Sequence, residues 1–582
     1  MSEENLSFIR RYIFSLDHKV IGIQYIVTGL VMALIGGFLA TLIRLQLAFP
    51  GRQWPMLEAL LPTGYMGGIM APEFYLATVT MHGTIMVFFF ISFVLVSGFG
   101  NYLVPLHVGA DDMAFPFLNM LSYWIGFLSA ITLILSFFVE GGAAAAGWTA
   151  YPPLSALKGA IPGSGMGQTV WLLSMALFIV SFTMSGLNIV TTVFTQRAPG
   201  MSMMRMPLTV WSYFFSAIMG LLAFPALTAA AIMLLFDRHL GTSFFLPSNL
   251  FIAGQQITAG GGSPLLWQHL FWFLGHPEVY VLILPALGIV FDIMPAFTRK
   301  PIFGYRISVW SLVAVTFLSM IVWGHHMFVS GMSPFTGEYF SLATMLITIP
   351  MGIMGVNMLA SFWGGRLSLK TPMLFIIGTI ALFGTGGFGG IFLGNATADM
   401  QLHDTYFVVG HFHLMIGGVT LMGTFAAIYF WFPKMFGRSM NDRLGKLHFW
   451  LTFIPFFTVF FMQHFQGLQG MPRRYYAFSS YQYLEQAANS NMMVTMVAFT
   501  LITAQFIFMF NFLWSMVKGR AAGANPWRAT TLEWTAPSPP PHGNWGDAAP
   551  VVYRWPYEYS ADGAPEDFTP QNVPADEVPV TA

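Results

Sequence analysis

Cysteine is absent from this 582-residue chain, and Asp, Glu, Lys and Arg together make up only 8% of it, against roughly 25% in an ordinary soluble domain. The first absence excludes disulfides, cysteine-ligated iron–sulfur clusters and thiolate copper or zinc sites, so any metal must be held by His, carboxylate, Met or Tyr. The second excludes a soluble enzyme. With 56% hydrophobic residues, the chain has too little polar surface to meet water on every side. Lys plus Arg and Asp plus Glu are 24 each, a balance that gives no argument for nucleic acid or an acidic partner. Methionine is abundant, at 39 residues, and reads as flexible packing, because no spacing suggests a metal relay.

Apolar runs long enough to cross a hydrocarbon core of about 30 Å take ~20 residues. Twelve are found, over 20–45, 78–104, 116–139, 169–195, 208–236, 266–293, 307–330, 339–362, 372–394, 406–433, 447–469 and 490–517. The predicted fold is therefore an all-α polytopic membrane protein. The N-terminal residues MSEENLSFIRRYIFSLDHK show no short apolar region with a small-residue cleavage site, so the first run is read as a retained span. Of the 24 basic residues, all but Arg44, Arg52, Lys158, Arg238, Arg473 and Arg474 fall at the two ends or in the even-numbered loops. The positive-inside rule makes that side cytoplasmic, with both termini on it. The predicted organisation is a cytoplasmic segment 1–19, a membrane domain 20–517 and a Pro- and Gly-rich tail 518–582. The tail lacks apolar periodicity and is expected to be extended.

An ionisable residue inside a span is costly and marks a functional candidate. Of the 14 histidines, His82, His276, His325, His326, His411, His413 and, less clearly, His464 lie in spans or at their mouths. Each alone reads as a hydrogen-bonded core imidazole, but their clustering points elsewhere. His411 and His413 point about 200° apart on a helix, so the tenth span offers an imidazole to each of two neighbours. His82 and His413 can lie at similar depth, and two imidazoles from two helices hold a six-coordinate heme. His276 on the sixth span and His325 and His326 near the outer end of the seventh can converge, and three neutral imidazoles suit copper. Adjacent histidines reach one metal only if the helix is locally distorted.

These residues lie in runs that resemble subunit I of the heme-copper oxidases: TMHGTIMVFFF, GNYLVPLHVGADDMAFPFLNMLSYW, GWTAYPPLS, WFLGHPEVYVLILPALGIV, GHHMFVSGMS, LHDTYFVVGHFH, QHFQGLQGMPRR and ANPWRATTLEWTAPSPPP. The resemblance runs in order from about residue 10 to 540. It implies that His82 and His413 are axial ligands of a low-spin heme and that His411 is the proximal ligand of a high-spin heme. The hemes are expected to be of the A type. His276, His325 and His326 would hold the copper called CuB, with Tyr280, one helical turn after His276, crosslinked to it as a source of an electron and a proton. Asp112, Asn101, Asn119 and Glu278 would form a proton path from the cytoplasm, helped by Ser181, Ser185 and Asn188 on the fourth span. Arg473 and Arg474 would pair with heme propionates, and His403 and Asp404 would bind magnesium. Arg44 and Trp148 match residues around the low-spin heme and the oxygen site.

One stretch departs from the family. Where relatives carry Pro-Thr-Gly-Ile-Lys in the eighth span, this chain has Pro350-Met351-Gly352-Ile353-Met354. The lysine of the second proton route, the K pathway, is missing, and thioethers relay protons poorly. Met120 likewise replaces a second asparagine beside Asn119. Protons for the active site are then expected through the Asp112 to Glu278 route or another path.

The implied function is a proton-pumping oxygen reductase of a respiratory chain in a bacterial cytoplasmic membrane, embedded in lipid. A nitric oxide reductase of the same superfamily is the first alternative, although that branch lacks the tyrosine that stands here as Tyr280. A transporter would also have many spans, but broken helices at matched positions are not apparent. Having no cysteine, the chain cannot carry a dinuclear copper entrance site, so electrons must come through a partner subunit II, with a subunit III also implied. Phe74 and Ala77 stand where quinol-oxidising relatives place polar residues, which favours cytochrome c over quinol as donor.

Overall fold

In hydrocarbon a backbone amide finds no water, so an apolar run folds as a helix whose hydrogen bonds all close within the segment. The computed structural model describes residues 7–252, 255–257, 260–478, 481–546, 549–561, 564 and 566–574. Eleven helices are long and apolar enough to span: α1 (His18–Ala48), α2 (Pro72–Val108), α3 (Pro116–Phe138), α4 (Met166–Thr195), α5 (Leu208–His239), α6 (Pro264–Thr298), α8 (Pro334–Ala360), α9 (Thr371–Leu393), α10 (Tyr406–Phe436), α11 (Asp442–Leu468) and α12 (Gln482–Lys518). The shorter apolar helix α7 (Tyr305–Ser319) completes the twelve. α12 begins eight residues before the expected 490, because EQAANSN is polar enough to hide from a hydropathy reading yet continues the helix.

The expected seventh span, 307–330, is corrected. Its α-helix ends at Ser319, where hydrogen bonds shorten to three-residue spacing (Met320 N to Phe317 O, 3.2 Å; Ile321 N to Leu318 O, 3.0 Å). A 3₁₀ turn, Trp323–Met327, then carries both histidines. The tighter turn is the local distortion that lets adjacent imidazoles reach one point. Widened π turns interrupt two of the spanning helices, Ile85–Gly98 in α2 and His413–Val419 in α10.

Burial sorts the helices. The apolar windows of α6, α10 and α2 are 89%, 78% and 72% buried, whereas no other spanning helix exceeds 56%. These three central helices carry His276, Glu278 and Tyr280, then His411 and His413, then His82.

The tail also differs from expectation. It is extended, but it is docked on the helix ends at the N-terminal end of α1 and buries Trp534, Val552, Tyr557 and Tyr559 there. Lys434 of α10, fully buried, donates Nζ to the tail carbonyl of Ala536 (2.7 Å) and lies 5.0 Å from the Trp534 ring. Glu533 accepts from Trp431 Nε1 (3.2 Å) and Thr531 Oγ1 (2.9 Å) and pairs with His107 Nε2 (3.2 Å). Burial raises the proton affinity of Glu533, but His107 and these donors outweigh it and hold the carboxyl below its ordinary range. Periodicity could not reveal this, because the tail is anchored by scattered aromatic and charged side chains rather than by a repeating face. Replacing Glu533 with Ala strands His107 in the interior and is expected to cost about 3–5 kcal/mol, read as a lowered thermal unfolding midpoint in detergent.

Candidate metal and cofactor site

Three imidazoles converge where α6 meets the 3₁₀ turn. One ring nitrogen from each of His276, His325 and His326 lies within 4.8 Å of the others. His276 Nδ1 and His326 Nε2 are 3.4 Å apart. For bonds of ~2.0 Å to a shared metal, that separation corresponds to an angle of about 115°, suited to trigonal or tetrahedral coordination. His325 is held by Nδ1 on Thr344 Oγ1 (2.9 Å), and Trp272 stacks on His326 at 3.8 Å. Neither Thr344 nor Trp272 was given a role from the sequence, although Trp272 opens the run WFLGHPEVY.

His82 and His413 face each other with ring centres 6.5 Å apart and planes 13° from parallel. Two imidazoles bonded at ~2.0 Å to opposite sides of one metal would place their ring centres roughly 6.3 Å apart. Their Nδ1 atoms donate to the carbonyls of Gly36 and Val409, both at 2.9 Å, which leaves each Nε2 for the metal. His411 follows the same rule, with Nδ1 on Gly386 O at 2.9 Å. α9 comes close enough for this only because it presents glycines: a Cβ on Gly389 would lie 2.9 Å from His411 Nδ1, and one on Gly390 would lie 3.2 Å from His411 Cε1. His464 turns Nδ1 to its own helix carbonyl, Phe460 O (2.8 Å).

All of these imidazoles except His464 line one cavity of about 1260 Å³, beyond the roughly 300–1,000 Å³ of a single small-molecule pocket. Tyr280, Glu278, Arg44, Trp148, Arg473 and Arg474 line it as well. The donor set and the cavity size fit two hemes and a copper. At the outer rim, burial and the neighbouring Arg474 pull Arg473 down to about 10, so the pair of guanidiniums calls for anionic partners. Asp404 is one such partner, 3.6 Å from Arg473 Nε. Burial would raise its carboxyl, but Arg473 and Arg474 outweigh that and hold it below the ordinary range. The pair therefore forms above the ordinary aspartate pKa and is lost as pH falls through the lowered one. His403 instead bonds Asp399 Oδ2 (3.2 Å), a residue the sequence reading missed. Arg44 sits apart from the other two arginines and donates to Asn491 Oδ1 (2.9 Å), Asn491 O (3.0 Å) and Thr495 Oγ1 (3.1 Å) on α12.

At the end of the bundle where the tail docks, Asp112 lies in the turn after α2, accepting from Met113 N (2.6 Å), while Asp111 is exposed. Further in are several buried atoms that have no partner among the described residues: Asn101 Oδ1, both amide atoms of Asn119 and both carboxylate oxygens of Glu278. Buried polar atoms in that condition call for water. Ser181 is within 3.3 Å of the Tyr25 hydroxyl, and Ser185 is buried alongside. Asn188 has another task. Its amide clamps the backbone of Phe115 in both directions (2.9 and 3.1 Å). In α8, Met354 is buried, Met351 lines the cavity and Asn357 is tied to Ser308 Oγ (2.8 Å).

Residues 20–500 match the family model described as cytochrome c and quinol oxidase polypeptide I. The alternative cytochrome c oxidase subunit 1 of Bradyrhizobium diazoefficiens is 50% identical over 570 residues, covering 98% of this chain and 94% of that protein. Cytochrome c oxidase subunit 1 of Thermostichus vulcanus is 40% identical, over 95% and 93% of the two chains, and that of Bacillus subtilis 42%, over 92% and 81%. A solved heme-copper terminal oxidase dimer aligns with a TM-score of 0.67 at 19% identity, covering 86% of this chain and 84% of that one, a likeness of fold.

Replacing Gly389 with Ala should push the His411 ring aside at a cost of about 1–3 kcal/mol. The expected outcome is loss of the group held by His411 with retention of the group between His82 and His413, read from visible absorbance.

Proposed function

Because this chain belongs to the cytochrome c and quinol oxidase polypeptide I family, we propose that it is the catalytic subunit of a terminal respiratory oxidase reducing O₂ to water with electrons from cytochrome c and pumping protons. One observation carries the reading: a three-imidazole cluster and the paired rings of His82 and His413 open into the same cavity, with His411 also on its wall. Bound there, two hemes of the A type and one copper would supply electron transfer and cleavage of the O–O bond. The protein's part is to hold ligands and deliver protons. His82 and His413 hold one heme, His411 the other, and His276, His325 and His326 the copper. The Tyr280 ring, centred 4.8 Å from that of His276, stands ready to give a proton and an electron. His276 Nε2 is buried and has no partner among the described residues, which leaves it for a bond to this tyrosine.

Protons enter at Asp112, pass Asn101 and Asn119 and reach Glu278, whose unpartnered oxygens can take a proton from water and pass it on. Met354 and Met351 offer no relay in α8, so this route also serves reduction of the active site. At the outer rim, Arg473 and Arg474 take heme propionates, Arg44 lies by the low-spin heme, and His403 and Asp404 contribute to a magnesium site completed by a partner. Segments 1–19 and 518–582 lie on the cytoplasmic side of a bacterial membrane. A subunit II with dinuclear copper and a subunit III complete the enzyme. Phe74, packed by Tyr65, and buried Ala77 leave the turn before His82 apolar, which supports cytochrome c rather than quinol as donor.

Metal analysis of the purified enzyme is expected to give two irons for each copper associated with this chain; iron without copper would favour the nitric oxide reductase reading. Asp112→Asn is expected to slow oxygen consumption roughly tenfold or more and to slow reduction of the high-spin heme, followed by stopped-flow absorbance. Unimpaired reduction would refute the shared route.

A further inference from the structure

The C-terminal tail reaches the mouth of this proton route. Asn544, fully buried and held in the left-handed region (φ 66°), inserts its amide between the start of α1 and the turn after α2. Its Nδ2 lies 2.7 Å from Ala110 O, 3.2 Å from Asp111 O and 3.0 Å from His18 Nε2, while its Oδ1 accepts from Lys19 Nζ at 2.9 Å and lies farther from His18 Nε2, at 3.2 Å. The other nitrogen of His18, Nδ1, lies 2.8 Å from the carbonyl of Asn101. The backbone N–H of His18 points to Asp112 Oδ2 at 3.4 Å. One tail residue thus touches a histidine whose remaining polar contacts are the entrance aspartate and the next residue of the path.

The hydrogen-bond inventory fixes the protons. A carbonyl only accepts, so His18 Nδ1 carries a hydrogen toward Asn101. An ammonium only donates, so Lys19 fixes the Asn544 oxygen on its own side and turns the amide N–H₂ toward the two loop carbonyls and His18. His18 Nε2 then accepts over the shorter of its two contacts, from Nδ2 at 3.0 Å, because Oδ1, at 3.2 Å, is already taken by the Lys19 ammonium. An imidazole that donates at one nitrogen and accepts at the other is neutral. An imidazolium here would have to turn its second N–H to Oδ1 and crowd a second cation onto the oxygen that the Lys19 ammonium already holds.

Resting on the reading of Asp112 as the proton entrance, we propose that Asn544 is a positioning residue for proton uptake: its amide, oriented by Lys19, keeps His18 neutral beside Asp112. The charged or titratable groups around His18 are Asp17 and Lys19 on its own helix end and Asp112 from the turn, with His542 of the tail facing Asp17 at 3.4 Å. Lys19 and Asp17 pair at 3.0 Å and largely offset each other. The protonation of His18 is therefore the variable charge nearest Asp112. Burial lifts the Asp112 carboxyl above its ordinary range, and a positive His18 works against that lift. A neutral His18 leaves the entrance able to hold the proton it must collect.

Asn544→Asp keeps the shape but exchanges the donor for an acceptor that draws a proton onto His18. The alkaline limb of oxygen consumption against pH is then expected about one pH unit lower, since a cation beside Asp112 lowers its proton affinity. Adding His18→Gln to that variant, so that no imidazolium can form, is expected to return the limb to its wild-type position. Asn544→Leu disturbs the loop without adding charge and is expected to lower the rate with the limb unmoved. Heme absorbance confirms assembly in each case. No shift in Asn544→Asp, the same shift in Asn544→Leu, or no return in the double variant overturns the proposal. Should Asn544→Asp not assemble, infrared spectra of histidine-labelled wild-type enzyme decide. The His18 band, identified by its loss in His18→Gln, is expected to be that of neutral imidazole at pH 6, and an imidazolium band there overturns the proposal. Asp112→Asn with unchanged turnover would instead remove the entrance reading itself. An Asp112→Asn defect without the Asn544→Asp shift removes only the role of Asn544.

Discussion

The structure depends on how an imidazole is made tolerable inside a membrane protein. Each ring nitrogen is a strong polar group, and an unpartnered one in low dielectric is costly. For His82, His411 and His413 the answer is the same: Nδ1 gives its hydrogen to a backbone carbonyl at 2.9 Å, and Nε2 is left facing the cavity. That single bond sets the tautomer, fixes the ring plane and presents a lone pair to a metal. The surrounding helices are arranged to supply those carbonyls. α1 supplies Gly36, α10 supplies Val409, and α9 approaches through its glycines to supply Gly386.

Where the cavity histidines have Nδ1 paired, the residues proposed for the proton route have polar atoms left open. Asn101, Asn119 and Glu278 keep buried oxygens or nitrogens without partners among the described residues, and water is what their chemistry accepts. Asn188, assigned from its spacing to the same path, instead has its amide saturated by the backbone of Phe115. A polar residue on the right helical face is therefore not enough; its hydrogen-bond capacity must still be unused. The same test separates Asn357, bound to Ser308, from a stand-in for the lysine missing at Met354.

Twelve spans and the principal histidines were legible because both signals are local: an apolar run announces a helix, and a histidine inside one is rare. The shortened seventh helix was not legible, since apolar residues continue on both sides of His325 and His326 and only the hydrogen bonding reveals the 3₁₀ turn. Nor was the docked tail, whose anchors Glu533, Asn544 and Tyr557 meet partners hundreds of residues earlier in the chain. Thr344 and Trp272 escaped because each meets its histidine from a separate element, and Asp399 because its turn to His403 is set by the local backbone rather than by residue type.

The sequence by itself determined that this protein lies in a membrane and that several of its histidines fall inside apolar runs, because hydropathy and residue type are properties of the chain. Only the tertiary structure decided which nitrogens of those histidines are free, which polar groups remain unpaired for water, and that the tail packs against the turn carrying Asp112. Those properties belong to pairs of atoms brought together by packing. Hydrogen-bond satisfaction is settled between partners, and no single residue carries the information about whether its partner arrives.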